Sequence, residues 1–98
     1  MDIKLHYQEK GYGLSLILLH GNGEDGSRFR HQIEYFSKEY RVIAIDARGQ
    51  GESPRGTAPF TFEQFAQDLL DFMNEHSIFR ANILGFSDGG ITALFVYA

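Results

Sequence analysis

Cysteine is absent from this 98-residue chain, which excludes a disulfide scaffold and any metal site built from thiolates. An excess of basic residues is absent too, since nine Lys and Arg stand against thirteen Asp and Glu, for a net charge of -4. This balance gives no electrostatic footprint for nucleic acid or for an anionic membrane. The chain also lacks an apolar run long enough to span a bilayer and the pattern of a signal peptide. We therefore expect a cytoplasmic protein that binds neither nucleic acid nor membrane.

Short apolar segments are present, and they predict the strands of one domain. Residues 14–19, 42–45 and 81–86 are almost wholly apolar, as in parallel strands that are buried on both faces. Residues 3–7 alternate apolar and polar side chains, which predicts a strand with one face in water, and a turn is expected at 10–13. With 43 % hydrophobic residues, the chain can form the core of one small domain but is too short for two.

Helical patterns alternate with these strands. A first helix is predicted after a cap at Asp25 or Ser27, a second after the capping box Thr61-x-x-Gln64, and a third from Asp88 onward. The apolar side of the first helix is formed by Phe29, Ile33, Phe36 and Tyr40. The alternation predicts an α/β fold of three layers, α/β/α, around a mostly parallel sheet.

A glycine-flanked serine stands between the third buried strand and the third helix, where Gly85-Phe86-Ser87-Asp88-Gly89 reads G-x-S-x-G. This pattern is typical of a nucleophile elbow, in which the strand turns so sharply into the helix that a Cβ at the outer positions would clash. The turn lifts the serine hydroxyl out of the sheet, and the helix N-terminus favours developing negative charge. We predict that Ser87 is a catalytic nucleophile and that Gly85 and Gly89 are its elbow glycines. The alternative is a plain strand-to-helix turn.

A second glycine-containing loop, His20-Gly21-Asn22-Gly23, follows the first buried strand. Glycines allow backbone N–H groups to approach a substrate closely, as an oxyanion hole requires. We predict that one oxyanion donor is the N–H of Asn22 or Gly23 and that the other is the N–H of Asp88. His20 is expected to shape the turn rather than to act as a base.

The same loop also fits a dinucleotide-binding fingerprint. Gly21-x-Gly23-x-x-Gly26 follows a strand, and Asp46 ends the next strand about 20 residues further on. However, Glu24 and Asp25 would repel a pyrophosphate in this loop, and the fingerprint leaves the G-x-S-x-G pattern unexplained. Dinucleotide binding is therefore kept only as an alternative.

The loop after the second buried strand and the remaining histidines are predicted to be structural. Contacts between Asp46 and Arg48 are expected to hold a turn. His6, His31 and His76 are expected on solvated faces, and no pair of them has the spacing of metal ligands on a helix. We therefore expect neither a metal nor a cofactor.

Three motifs in this order make the chain resemble the N-terminal part of an α/β-hydrolase. They are His20-Gly21, Asp46-x-Arg48-Gly49-x-Gly51-x-Ser53 and Gly85-x-Ser87-x-Gly89. The run 87–94 is also similar to the valacyclovir-hydrolase-like esterases. The resemblance implies that Ser87 accepts the acyl group and that Asn22 and Asp88 supply oxyanion N–H groups. It also implies that the catalytic acid and histidine belong to later segments that are absent from these residues.

The leading hypothesis is a serine hydrolase that acts on a small ester-like substrate, with its base and acid supplied by segments after Ala98. Residues 91–98 are apolar and carry no helix stop signal. We therefore expect 1–98 to be a single partial domain, truncated after the elbow and inactive or weakly active alone. The alternatives are a short non-catalytic α/β protein that binds a partner or another copy through an open sheet edge, and the dinucleotide-binding domain.

Overall fold

The computed structural model describes residues 2–21, 25–86 and 89–90. Its four strands are β1 (Tyr7–Lys10), β2 (Leu14–Leu19), β3 (Tyr40–Ile45) and β4 (Ala81–Gly85). Its helices are a single 3-10 turn (Gly26–Phe29), α1 (Arg30–Phe36) and α2 (Phe62–Glu75). None of the helices within these ranges has the length and apolar character needed to cross a membrane.

The strands form one sheet in the order β1-β3-β2-β4. β2 runs parallel to both β3 and β4, whereas β1 is antiparallel to β3. Leu19 lies opposite Ile45 on one side and Gly85 on the other, so the three parallel strands end together at one edge of the sheet. Open α/β sheets bind their ligands at this carboxyl edge.

Helices cover both faces of the sheet. Successive residues of a strand point to opposite faces, so each buried strand contributes side chains to two cores. The core on the α2 side comprises Leu5, Ile17, Leu19, Ile43, Ile45, Leu69, Phe72 and Ile78. The core on the α1 side comprises Leu16, Leu18, Phe29, Ile33, Val42 and Ala44. These two cores confirm the predicted three layers, and the parallel pairing of β2 with β3 and β4 confirms the mostly parallel sheet.

Asp25 and Thr61 both act as N-caps, although Asp25 caps a 3-10 turn and α1 itself has no side-chain cap. Oδ1 of Asp25 accepts a hydrogen bond from the N–H of Ser27 at 2.8 Å and caps the 3-10 turn. Oγ1 of Thr61 accepts from the N–H of Gln64 at 3.1 Å and caps α2. The side-chain amide of Gln64, which in a full capping box returns to the cap residue, instead donates to Asp68 at 2.8 Å.

The bounds of β1 and of the first helix differ from the prediction. β1 covers 7–10 rather than 3–7, because its antiparallel pairing with β3 continues until Lys10 lies opposite Val42. Tyr40, which was predicted on the first helix, is the first residue of β3. Its ring still contacts Phe36 of α1 edge-on, with the centroids 6.3 Å apart, so the apolar spacing reflected real packing across two elements.

The last strand is less buried than predicted. β4 ends at Gly85 rather than at Phe86, and Leu84 and Phe86 are 40 % and 47 % exposed. β4 pairs with β2 along one side only among the described strands, and α1 packs over β3. Within the described ranges, one edge and part of one face of β4 are therefore left uncovered.

Candidate active site

The two elbow glycines pack with no space for a side chain. A Cβ built on Gly85 would lie 2.5 Å from the carbonyl oxygen of Gly89 and 2.6 Å from Cα of Gly90. A Cβ built on Gly89 would overlap the carbonyl oxygen of Leu19 and would lie 2.8 Å from that of His20. These neighbours are all backbone atoms, so they cannot turn aside as a flexible side chain would. The backbone at the end of β4 and at Gly89 therefore requires glycine at both positions.

Hydrogen bonds hold this turn against the end of β2. The N–H of Phe86 donates to the carbonyl oxygen of Leu19 at 2.9 Å, and the N–H of Gly89 donates to that of Phe86 at 3.0 Å. The predicted nucleophile Ser87 and the predicted oxyanion donors Asn22 and Asp88 lie outside the described residues. Their roles therefore stay predictions.

His20 is buried at the end of β2, and its ring bridges two loops. Nε2 accepts a hydrogen bond from the N–H of Ala47 at 2.9 Å, because a backbone N–H can only donate. A ring nitrogen that accepts carries no proton, so the proton of the neutral ring is on Nδ1. Nδ1 lies 2.7 Å from the carbonyl oxygen of Gly21 and donates to it. His20 thus holds the turn, as predicted.

Asp46, at the end of β3, is bonded on both carboxylate oxygens. Oδ1 accepts from the N–H of Gly26 at 2.6 Å, and Oδ2 accepts from the N–H of Glu52 at 3.0 Å. Oδ2 also contacts Nδ1 of His6 at 2.8 Å. The residue is 3 % exposed, so its carboxylate is not available to a ribose hydroxyl. This burial argues against the dinucleotide-binding alternative.

The charge of Asp25 argues in the same direction. The hydroxyl of Ser27, followed by its backbone N–H, holds the pKa of Asp25 below its ordinary value. The carboxylate therefore stays ionised in the loop where a pyrophosphate would have to bind, and it would repel that group.

Arg48 is the centre of a second buried network rather than a partner of Asp46. Its Nε and Nη2 donate to the two carboxylate oxygens of Asp68 on α2, each at 2.9 Å. Nη1 and Nη2 donate to Asp2 at 2.9 and 2.6 Å, and Nη1 also donates to the carbonyl oxygen of Arg55. The predicted contact between Asp46 and Arg48 is therefore wrong, because the guanidinium turns toward α2 and the chain start.

Charge pairing shifts the pKa values in this network in opposite directions. The Arg48 guanidinium, helped by the N–H of Thr57, holds the pKa of Asp2 far below its usual range. Asp68 and then Asp2 raise the pKa of Arg48 above its usual value. The network ties the N-terminal segment, the loop after β3 and α2 together. The sequence motifs gave no signal for it, since neither carboxylate lies near Arg48 in sequence.

We expect Asp68→Asn to lower the free energy of unfolding by about 3 kcal/mol, because it removes one partner of a buried, fully enclosed guanidinium. Asp71→Asn is the matched control. Asp71 lies on the same helix and accepts a hydrogen bond from Gln67, as Asp68 does from Gln64, but its bond is exposed. The control should change stability by less than about 0.5 kcal/mol. Urea denaturation of both variants measures the difference, and equal losses would contradict the importance of the network.

The other histidines differ from the prediction in two of three cases. His31 is exposed, as predicted. His6 is half-buried, with one ring nitrogen on Asp46 and the other 3.2 Å from Glu52. His76 is half-buried as well, and its ring packs against those of Phe72 and Tyr7. Within the described ranges, no group of three or more His, Asp or Glu side chains is arranged to hold a metal ion.

A small cavity lies between the core on the α2 side and two backbone positions, Gly21 and Gly89. It has a volume of about 40 Å³, which is room for about three water molecules. Its lining includes Leu19, Leu69, His20, Gly21 and Gly89. The described residues thus line a candidate site at the carboxyl edge of the sheet.

Comparison with known proteins gives the family. A family model described as alpha/beta hydrolase fold matches residues 15–98. The chain is 38 % identical over 104 residues to the serine hydrolase BPHL of Homo sapiens, covering 98 % of this chain and 35 % of that protein. It is 35 % identical over 86 residues to the (E)-2-((N-methylformamido)methylene)succinate hydrolase of Acinetobacter baylyi, covering 88 % of this chain and 33 % of that protein.

Solved structures agree with the family match. A thermophilic esterase from Thermogutta terrifontis superposes with a TM-score of 0.89 at 34 % identity, covering 95 % of this chain and 35 % of the esterase. The chain spans about a third of the length of the curated relatives it matches. The predicted resemblance is confirmed, and the chain belongs to the α/β-hydrolase family.

Proposed function

We propose that the protein is a serine hydrolase that cleaves small-molecule esters or related acyl compounds, with Ser87 as its nucleophile. The observation that carries the proposal is the packing of Gly85 and Gly89, neither of which leaves room for a Cβ. These glycines flank a serine at the end of a parallel strand, and a nucleophile elbow needs that arrangement. The hydrolases among the relatives support the same chemistry.

In this mechanism a general base takes the proton of the Ser87 hydroxyl as its oxygen attacks the acyl carbon, and the carbonyl oxygen becomes an oxyanion. When the C=O bond forms again, the bond to the alcohol breaks, the alcohol takes up the proton, and the acyl-enzyme that remains is hydrolysed by water. The N–H groups of Asn22 and Asp88 bind that oxyanion. The close packing of Gly89 against the backbone of Leu19 and His20 supports this assignment, because it brings the loops after β2 and β4 together. Oxyanion holes in which each of two loops supplies one backbone donor need loops that approach each other in this way.

The general base of this mechanism is a group other than the four histidines of the chain. Both ring nitrogens of His20 are hydrogen-bonded to backbone groups, and the ring of His6 lies between two carboxylates. We propose that the histidine and the acid come from further parts of the protein, which the matched relatives are long enough to contain. Residues 1–98 then form the first part of one domain, and alone they hydrolyse esters weakly or not at all.

Labelling with a fluorophosphonate tests the proposal. We expect the complete protein to react at one site, in the tryptic peptide that begins at Ala81, in which Ser87 is the only serine up to residue 98. Heat-denatured protein is the control and should stay unlabelled, because the reaction needs an activated serine. An unlabelled native protein, or a label on another serine, would refute the assignment.

Two other hypotheses have less support. Dinucleotide binding requires the carboxylate of Asp46, which is buried and bonded to backbone groups. A purely partner-binding role is not needed to account for a chain that matches a family of hydrolases. A contact with another chain through the open edge of β4 and a cytoplasmic location both remain predictions.

A further inference from the structure

We infer that His20 is a positioning residue that fixes the orientation of the peptide between Gly21 and Asn22. The inference rests on the proposed function, in which the N–H of that peptide is an oxyanion donor. Its basis is the ring bridge: Nδ1 of His20 donates to the carbonyl oxygen of Gly21 at 2.7 Å, and Nε2 accepts from the N–H of Ala47 at 2.9 Å.

The link from the ring to the donor is covalent. A trans peptide bond is planar, so its C=O and its N–H point in opposite directions within one rigid plane. The carbonyl oxygen of Gly21 and the N–H of Asn22 belong to the same plane. When His20 holds the oxygen on one side, it also directs the N–H on the other side. A glycine at position 21 has unusual backbone freedom, which makes an external anchor for this plane useful.

The other end of the bridge is attached to a rigid part of the molecule. Ala47 stands between Asp46 and Arg48, which are 3 % and 0 % exposed. The carboxylate of Asp46 is fixed by two backbone N–H groups, and the guanidinium of Arg48 is fixed by Asp68 and Asp2. The N–H of Ala47 therefore offers His20 a steady support, and the ring transmits that support to the loop after β2.

Only one state of the ring serves both contacts. The neutral tautomer with its proton on Nδ1 donates to one carbonyl and accepts from one N–H. The other neutral tautomer breaks both contacts. Its Nε2–H would face the N–H of Ala47, and the lone pair of Nδ1 would face the carbonyl oxygen of Gly21. His20 thus differs from a space-filling core residue, because its hydrogen-bonding pattern and not its volume determines how the Gly21 carbonyl is oriented.

Two substitutions separate the two contacts. In His20→Asn, the amide nitrogen is as many bonds from the backbone as Nδ1, so it can still donate to Gly21 but cannot reach Ala47. In His20→Gln, the amide oxygen is as many bonds away as Nε2, so it can still accept from Ala47 but leaves the Gly21 carbonyl without its ring donor. Each variant loses one hydrogen bond, and we expect similar losses of thermal stability.

Catalysis should distinguish the variants, measured on a p-nitrophenyl ester with the complete protein. We expect His20→Gln to lower kcat by about 10- to 100-fold, since an oxyanion donor is worth about 10²- to 10³-fold and would here be misplaced rather than removed. His20→Asn keeps a donor to the Gly21 carbonyl but loses the support of Ala47, so it should lower kcat by a smaller factor, about three- to tenfold. KM should stay within about threefold in both variants, because the donor acts on the oxyanion and not on the bound ester.

A kcat in His20→Gln that is no lower than in His20→Asn would overturn the positioning role, even with Ser87 labelled in the wild type. A wild type that does not label at Ser87 would refute the proposed function, and the inference would fall with it. Ring ¹⁵N chemical shifts of His20 in the wild type give a measurement that does not depend on the folding of any variant. A proton on Nδ1 and a bare Nε2 are expected, and a proton on Nε2 would overturn the inference.

Discussion

Ser87→Ala is expected to lower kcat/KM for a short-chain p-nitrophenyl ester by about 10⁴- to 10⁶-fold in the complete protein. The loss is large because no other group in the mechanism can form the acyl-enzyme. A residual rate above that of uncatalysed hydrolysis should persist, since oxyanion donors can stabilise a direct attack by water on the ester. Steady-state hydrolysis, with circular dichroism to confirm folding, measures the effect.

Ser37→Ala is the matched control for this substitution. Ser37 follows α1, and its hydroxyl donates to the carbonyl oxygen of Glu34 at 3.2 Å in an exposed position. Its removal should leave kcat/KM within about twofold, because surface substitutions of this kind rarely change stability by more than about 0.5 kcal/mol. A Ser87→Ala protein that retains a tenth of the wild-type rate would contradict the nucleophile assignment.

Gly89→Ala should produce the second large effect, a loss of about 3 kcal/mol in the free energy of unfolding, and with it the activity. The new methyl group would meet the carbonyl oxygens of Leu19 and His20, both at the carboxyl end of β2. Neither backbone can move without disturbing the sheet or the loop that carries the proposed donor Asn22. A drop of about 6–12 °C in Tm is expected for a protein of ordinary size.

Gly90→Ala is the control, one residue further along. A Cβ there would lie 3.6 Å from the carbonyl oxygen of Gly85, which is an ordinary van der Waals distance. Because Gly90 is helical and alanine favours helix over glycine, this variant should be neutral or stabilised by up to about 1 kcal/mol. If Gly89→Ala were as stable as Gly90→Ala, the close packing at the elbow would be wrong.

The parts of the fold with local causes could be predicted from sequence. Apolar runs of four to six residues predict buried parallel strands, and β2 and the buried residues 42–45 of β3 lie where the pattern indicates. Caps such as Asp25 and Thr61 act within three residues, so their motifs are visible in the chain. The elbow glycines were predicted on the same local ground, since a sharp turn restricts the residues that form it.

Features that depend on distant neighbours could not be predicted. Arg48 finds Asp2 and Asp68, which are 46 and 20 residues away, and no spacing rule relates these three positions. His6 was expected in water because its segment alternates, but the loop after β3 returns over it and supplies Asp46. The exposure of Leu84 likewise depends on which elements cover β4, and an apolar run does not contain that information.

Detection of an acyl-enzyme would identify the nucleophile itself. The complete protein is mixed with p-nitrophenyl acetate, quenched in acid within the first turnover and digested with trypsin. We expect an acetyl ester on the hydroxyl of Ser87, in the peptide that begins at Ala81, together with a burst of about one p-nitrophenol per protein. Turnover that proceeds with no acetyl group on Ser87, or with the acetyl group on another residue, would contradict the assignment of Ser87.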